Sequence, residues 1–357
     1  MDFEFTEAQR DLAGLARELL TDWAARHPRP DDTGFDPQLW RAMARAGLLD
    51  AALPERAGGG GFGLLEHCSI LTEIGRTVAP APYAATIAVA AATLAEFGSD
   101  AQLQRWMPSL LSGDKILAPV LAREFTCFEA RSSADGWVLE GSQSVVAAGT
   151  FADAYLVEAR VDTNSILLLV DRGDATVVPQ HAVDGTDAAR VEIRGATIPG
   201  EQAVTTPGAA AWARRRFALA TCALQLGILE RALELTCEYA RTRKQFDKPI
   251  AAFQAVRQRL ADAYIDVEAV RLTLWQAAWR ESHGLPADSD IAVAKFWAAQ
   301  SGHRVAHTAV HVHASAGIYL DYPMQRYFTA AKRAEFEQGT AADHLRGLGL
   351  ALDSPAA

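Results

Sequence analysis

The chain has 357 residues, half of them hydrophobic, enough to bury large cores and to divide into two or three domains. A net charge of −10 argues against a nucleic-acid footprint, although "WARRRF" (Trp212 to Phe217) is a local basic cluster suited to an anion. Cys68, Cys127, Cys222 and Cys237 are scattered with no metal-binding or disulfide-framework spacing, so buried thiols in a reducing compartment are expected.

Phe5-Thr6-Glu7-Ala8-Gln9 reads as an apolar residue, an N-cap threonine and a capping-box glutamine, followed by Leu12, Leu15, Leu19 and Trp23 at helical spacing. Further helices are expected over Pro37 to Ala46, Leu64 to Val78, Ala81 to Gly98 and Asp100 to Leu111, separated by "HPRPDDTG", "PERAGGGGFG" and "APAP". The run Gly58 to Gly61 lacks the Gly-Lys-Ser/Thr of a phosphate loop and follows no strand, so it reads as a turn between helices. The N-terminus shows no signal pattern, and Ala84 to Phe97 is too short and alanine-rich to span a bilayer. A cytoplasmic chain is expected, with neither membrane nor nucleic acid as partner.

From about Ile116 to Val204 the pattern turns to short β-rich runs such as "AYLVEARV" and "SILLLVD", punctuated by Asp135-Gly136, Arg172-Gly173 and Asp184-Gly185. An antiparallel sheet or barrel of roughly six to eight strands fits that spacing. Helical periodicity then returns, with four long helices expected at about 208–240, 252–281, 288–315 and 323–351. In the second of them Phe253, Val256, Leu260, Ala263, Val267, Val270, Leu274 and Ala277 form one apolar seam. The expected organisation is a helical domain over 1–115, a β domain over 116–206 and a four-helix bundle over 207–357, making the chain mainly α with a central β domain.

His303, His307 and His311 recur at i, i+4, i+8, followed by His313. The first three share a helical face, which is metal-ligand geometry in principle, but no carboxylate sits in register with them, so core or surface histidines are the plainer reading. Arg241, Arg243 and Lys244 cluster at a helix C-terminus, where cations suit either solvent or a phosphate.

The segment "YARTRKQFDKPIAAFQ" (Tyr239 to Gln254) closely resembles the acyl-CoA dehydrogenase signature Y-x-x-x-R-x-Q-F-G-x-x-I-x-x-F-Q, and "LPERAGGGGFG", "LTEIGRTVAPAP" and "GIYLDYPMQRYFTAAKR" extend the resemblance in order along the chain. It implies the acyl-CoA dehydrogenase fold: an N-terminal helical domain, a β-barrel-like middle domain and a C-terminal four-helix bundle. It also implies FAD as cofactor, an acyl-CoA substrate, an electron-transfer flavoprotein or similar acceptor, and a carboxylate that removes the α-proton on the way to a trans-2-enoyl-CoA.

Laid onto this sequence, the resemblance leaves gaps. Counting forward from Tyr322-Pro323 puts the usual base at Gln338, and a carboxamide cannot accept the proton. Glu335 and Glu337 flank it; on an unbroken helix Glu335, at about 300°, lies nearer that face than Glu337, at about 100°. The alternative base position, about 26 residues before Arg243 in some relatives, falls on Phe217, between Arg216 and Ala218. In the β domain, "REFTCFEARSSADG" replaces a Thr-Glu-x-x-x-Gly-Ser-Asp stretch. The flavin-contacting Trp-Ile-Thr becomes Val145-Val146-Ala147, with no hydroxyl for the ring.

The parts that reach a neighbouring subunit's FAD are better kept: Arg243, Phe246, Phe253 and Gln254 match, and Gly317 is the last glycine of a second loop, Gln-x-x-Gly-Gly-x-Gly, whose other positions have changed. Asp247 replaces the signature glycine. This mixture resembles one subunit of the α2β2 acyl-CoA dehydrogenases of bacterial steroid side-chain degradation, implying a second acyl-CoA dehydrogenase-like subunit that supplies the base and most flavin contacts. The alternatives are a homomeric enzyme of altered chemistry in secondary metabolism, using Glu335 or Glu337, and a metal-binding helical protein using His303, His307 and His311.

Overall fold

A computed structural model describes residues 5–27, 34–122 and 128–353. The helices are α1 (Glu7–Arg26), α2 (Pro37–Arg45), α3 (Leu64–Thr77), α4 (Ala92–Phe97), α5 (Asp100–Leu111), α6 (Ala209–Thr242), α7 (Gln254–Ser282), α8 (Asp288–His313), α9 (Pro323–Phe336) and α10 (Ala341–Asp353). Between α5 and α6 run β1 (Leu117–Val120), β2 (Phe128–Ser133), β3 (Gly136–Ala147), β4 (Ala154–Val161), β5 (Asn164–Asp171), β6 (Thr176–His181), β7 (Asp187–Ile198) and β8 (Ala203–Val204); β9 (Lys244–Gln245) and β10 (Lys248–Pro249) follow α6. The expected class, mainly helical with a central sheet, is the one observed.

Two helical expectations change. Ala84–Ala91 winds in wide π-type turns before α4 begins, and the expected helix over 323–351 is two helices. Glu337 is extended, and Gln338 and Gly339 take φ of 58° and 96°, which ends α9. Thr340 then caps α10: its N–H and hydroxyl donate to Asp343 Oδ2, and the Asp343 N–H donates to Thr340 Oγ1. The break is held open by Lys295 of α8, fully buried, whose Nζ donates to the carbonyls of Ala334, Glu335 and Gly339 at 3.3, 3.3 and 2.9 Å.

The chain forms two compact units. The first comprises the described parts of Met1–Arg26, Cys68–Ala79 and Ala218–Ala357. Its capping box at α1 is the one read from sequence: the Thr6 N–H donates to Gln9 Oε1 and the Gln9 N–H to Thr6 Oγ1. The backbones of α3 and α6 cross so closely that a Cβ on Gly227 would lie 1.9 Å from the Thr72 carbonyl oxygen, which demands glycine. Charge is balanced across helices: Arg17 pairs with Glu73, Arg76 with Glu230 and Glu234, and Arg271 with Glu230. The α7 seam is buried from Ala263 through Val267, Val270, Leu274 and Ala277, whereas Val256 and Leu260 are only half-buried.

The second unit comprises His27–His67 and Pro80–Phe217 in their described parts. Its sheet has the order β6-β7-β3-β2-β4-β5-β8, with β1 parallel to β4. Phe128, Leu139, Tyr155, Val157, Leu168 and Val191 are among its core residues. The glycine run is a turn, as expected, and its N–H groups are used internally: Gly59 donates to Pro54, Gly60 to Asp50 and Gly61 to Leu53. In the first unit Cys68 and Cys222 are buried free thiols and Cys237 a half-buried one, and burial pushes the Cys222 thiol up to about 12; Cys127 lies outside the described residues.

His67 gives the fold a pH dependence. It is buried with Nδ1 3.0 Å from the Tyr83 hydroxyl, and burial, aided by the nearby Arg216 charge, lowers its pKa from 6.5 to about 3. The folded chain keeps it neutral where the unfolded chain takes a proton, so its contribution is complete above about pH 6.5 and is lost as pH falls toward 3. Between about pH 6.5 and 5 this group alone is expected to remove about 2 kcal/mol. Urea unfolding at the two pH values measures it. His67→Gln should flatten the dependence, and a variant as pH-sensitive as wild type would contradict the assignment.

Candidate functional site

The signature segment is a hairpin at the end of α6. The Arg243 N–H donates to the Tyr239 carbonyl and its own carbonyl accepts from Ile250, both at 2.8 Å, which fixes the two ends. β9 and β10 pair across Phe246 and Asp247, whose φ of 51° and 61° are those of a tight two-residue turn of primed type. Aspartate tolerates that conformation where the signature has glycine. The Phe246 ring stands 86% exposed, 6.3 Å from Phe253 and edge-on to it. Lys248 Nζ lies 4.3 Å from the Phe253 ring centre; this cation was not singled out in the sequence. Arg243 and Gln254 are both exposed, and Phe253 makes no side-chain cap on α7. Two aromatic rings, a guanidinium and the positive end of a helix therefore share one exposed segment, an arrangement that suits a phosphate joined to a flat ring.

Gly317 lies elsewhere in the first unit, in the tight turn that follows α8. It is buried, and a Cβ there would come within 3.1 Å of the Val310 backbone, so its glycine serves close packing. The turn is tied to the signature by a stack that sequence spacing could not reveal: His313 lies face to face with Tyr239 at 4.4 Å and tilted against Tyr322 at 5.3 Å. His313 Nδ1 is 2.9 Å from the Ala309 carbonyl oxygen, and burial lowers its pKa.

The other histidines lie along an open groove of about 830 Å³, lined also by Arg259, Asp262, Asp266 and Arg304. His303 and His307 have ring centres 4.4 Å apart, and Arg304 is committed to Asp266. His303 Nδ1 sits 3.3 Å from Glu335 Oε1 and 3.1 Å from Lys332 Nζ. Burial, then the charges of His303 and Lys332, lower the pKa of His307. Among the described residues no group of three or more histidine, cysteine or acidic side chains is arranged to hold a metal.

At the expected base position, Gln338 occupies the left-handed turn after α9, its carbonyl 2.8 Å from His344 Nε2. Because α9 ends at Phe336, the helical-angle comparison of Glu335 with Glu337 does not hold. Glu335 is engaged on both oxygens, Oε2 with Lys332 at 2.5 Å and Oε1 with His303, and Glu337 pairs with Arg333. At the alternative position Phe217 is buried, while Arg216 stacks over Trp212 at 4.3 Å.

In the second unit, Val145 sits at a bulge of β3, between the paired residues Gln143 and Val146, with φ of 58°, a strained conformation for a β-branched residue. Its N–H donates to Gln180 Oε1 at 2.7 Å. With no hydroxyl on Val145, Val146 or Ala147 and this donor engaged, the segment does not fit a flavin ring. Residues 123–127 of the replaced Thr-Glu stretch lie outside the described residues.

Comparison with known proteins identifies the family of the chain. Residues 6–114 match the family model "Acyl-CoA dehydrogenase, N-terminal domain" and residues 210–349 match "Acyl-CoA dehydrogenase, C-terminal domain". "Acyl-CoA dehydrogenase FadE27" of Mycobacterium tuberculosis is 44% identical over 100% of both chains. A chain of the ChsE4-ChsE5 complex from Mycobacterium tuberculosis superposes with a TM-score of 0.94 at 42% identity, covering 100% of each chain. A chain of a Tcur3481-Tcur3483 steroid ACAD variant superposes with a TM-score of 0.88 at 35% identity, covering 97% of this chain and 98% of that one.

Proposed function

This chain belongs to the acyl-CoA dehydrogenase family of flavin-dependent oxidoreductases, and from that membership we propose that it is the partner subunit of a heteromeric enzyme, completing the FAD site of a second, catalytic acyl-CoA dehydrogenase-like chain. The observation that carries the reading is Gln338: the residue at the expected base position is an amide in a turn, and the flanking candidates Glu335 and Glu337 are bound to Lys332, His303 and Arg333. A group that must pull a proton from carbon needs a free carboxylate within reach of it.

In the assembled α2β2 enzyme, Arg243 and the first turn of α7 would hold the pyrophosphate of the partner's FAD, and Phe246, Phe253 and Gln254 would flank its adenine. The bound flavin supplies the hydride acceptor, and an electron-transfer flavoprotein or similar acceptor reoxidises it. A steroid side-chain CoA thioester is the proposed substrate class, supported by the heteromeric ChsE4-ChsE5 neighbour and the steroid ACAD neighbour.

Expression of this chain alone and together with an acyl-CoA dehydrogenase-like partner tests the proposal. Flavin absorption and acyl-CoA oxidation are expected only from the co-expressed pair. A yellow protein that oxidises acyl-CoA, made from this chain alone, would sink it.

A further inference from the structure

Two segments of the second unit fall where the family resemblance places flavin contacts: the half-buried backbone just past β1, where the replaced Thr-Glu stretch begins, and the bulge of β3. Each carries a backbone N–H, and each N–H is taken by a side chain of the same unit. At the bulge, Val145 donates to Gln180. Just past β1, the Ala122 N–H donates to Glu158 Oε2 at 2.9 Å. Glu158 sits in β4 amid an otherwise apolar buried run from Ala154 to Ala159 and is 2% exposed. Its other oxygen, Oε1, is bound by the Arg214 guanidinium of α6.

A buried carboxylate without partners is strongly disfavoured. Glu158 has both a cation and an N–H donor, and each of its oxygens is used. An apolar residue at this position would leave the half-buried Ala122 donor without that acceptor and the Arg214 guanidinium without its anion. Arg214 also gives the basic run "WARRRF" a defined role, as a clamp on an internal anion instead of a site for an external one.

We infer that Glu158, clamped by Arg214, is an internal ligand for the Ala122 donor that closes this chain's β unit to a flavin ring. The unit is then complete without cofactor, and the flavin rings of the assembly belong to the partner subunit. This inference rests on the partner-subunit reading and gives it a structural cause.

Riboflavin, which carries the ring without the adenine arm, is the probe, added to the full chain expressed alone. Its melting temperature is expected to stay unchanged up to the solubility limit of riboflavin. Amide exchange at Ala122 should accelerate about tenfold or more in Glu158→Ala and remain within about twofold of wild type in Glu158→Gln, which keeps an acceptor oxygen. A riboflavin-dependent rise in melting temperature of the wild-type chain, or equal Ala122 exchange in wild type and Glu158→Ala, overturns the inference. If Glu158→Ala does not fold, riboflavin binding by wild type and Ala122 exchange in Glu158→Gln decide it: binding, or fast exchange, is the overturning result. Acyl-CoA turnover by the chain alone would instead defeat the partner-subunit reading, whatever Ala122 shows.

Discussion

Replacing Lys295 by methionine is expected to destabilise the folded chain by about 3 kcal/mol. The side chain is fully buried, and its Nζ is tied to the carbonyls of Ala334, Glu335 and Gly339. Burial lowers the amine's pKa from 10.5, opposed by Cys222, Glu337, Glu335 and Asp343. The charged amine therefore costs stability at neutral pH, and the native fold offsets that cost through its three carbonyl contacts at the end of α9. Methionine fills the stem's volume and removes the desolvation cost, but orphans carbonyls at the end of α9, each worth about 1 kcal/mol or more when buried. The orphaned carbonyls outweigh the relief. Lys295→Ala should lose more, because a cavity is added to the orphaned groups. Denaturant midpoints measure both, and a Lys295→Met midpoint equal to that of wild type would show that the turn closes without the amine.

The same lysine marks the limit of what the sequence discloses. The helices of the bundle and the glycine-marked strands were legible because each rests on local periodicity: Ala263, Val267, Val270, Leu274 and Ala277 repeat on one face whatever lies opposite. The break after Phe336 was not legible, since Glu337 and Gln338 are good helix formers and the decisive group is Lys295, about 40 positions earlier. The wide turns at Ala84–Ala91 escaped for a related reason, because an alanine-rich run carries too little contrast to define a period. In the site, Arg243, Phe246, Phe253 and Gln254 came from motif spacing. The stack of Tyr239, His313 and Tyr322 and the pairing of Ala122 with Glu158 did not, because such contacts are created only when distant segments fold together.

The second large effect is expected from Arg243→Ala in the co-expressed complex. Arg243 is exposed in the isolated chain, held at the hairpin base by two backbone hydrogen bonds, so its removal should leave the fold intact and act through what it binds. A guanidinium on a pyrophosphate makes charge-assisted, potentially bidentate bonds, and losing them should weaken flavin retention roughly 10- to 100-fold. Arg243→Lys should fall between, keeping the charge and losing the fork. Flavin-to-protein absorbance after gel filtration, and turnover restored by added FAD, measure this, and full flavin content in Arg243→Ala would remove the arginine from the site. Gln338→Ala in the same complex is expected to keep turnover within about twofold, because an amide in a left-handed turn with its carbonyl held by His344 contributes no base to lose. A tenfold or greater loss there would instead place position 338 in a working active site of this chain. The two variants thus separate a subunit that holds its partner's cofactor from one that performs its own chemistry, since only the first makes Arg243 indispensable and Gln338 dispensable.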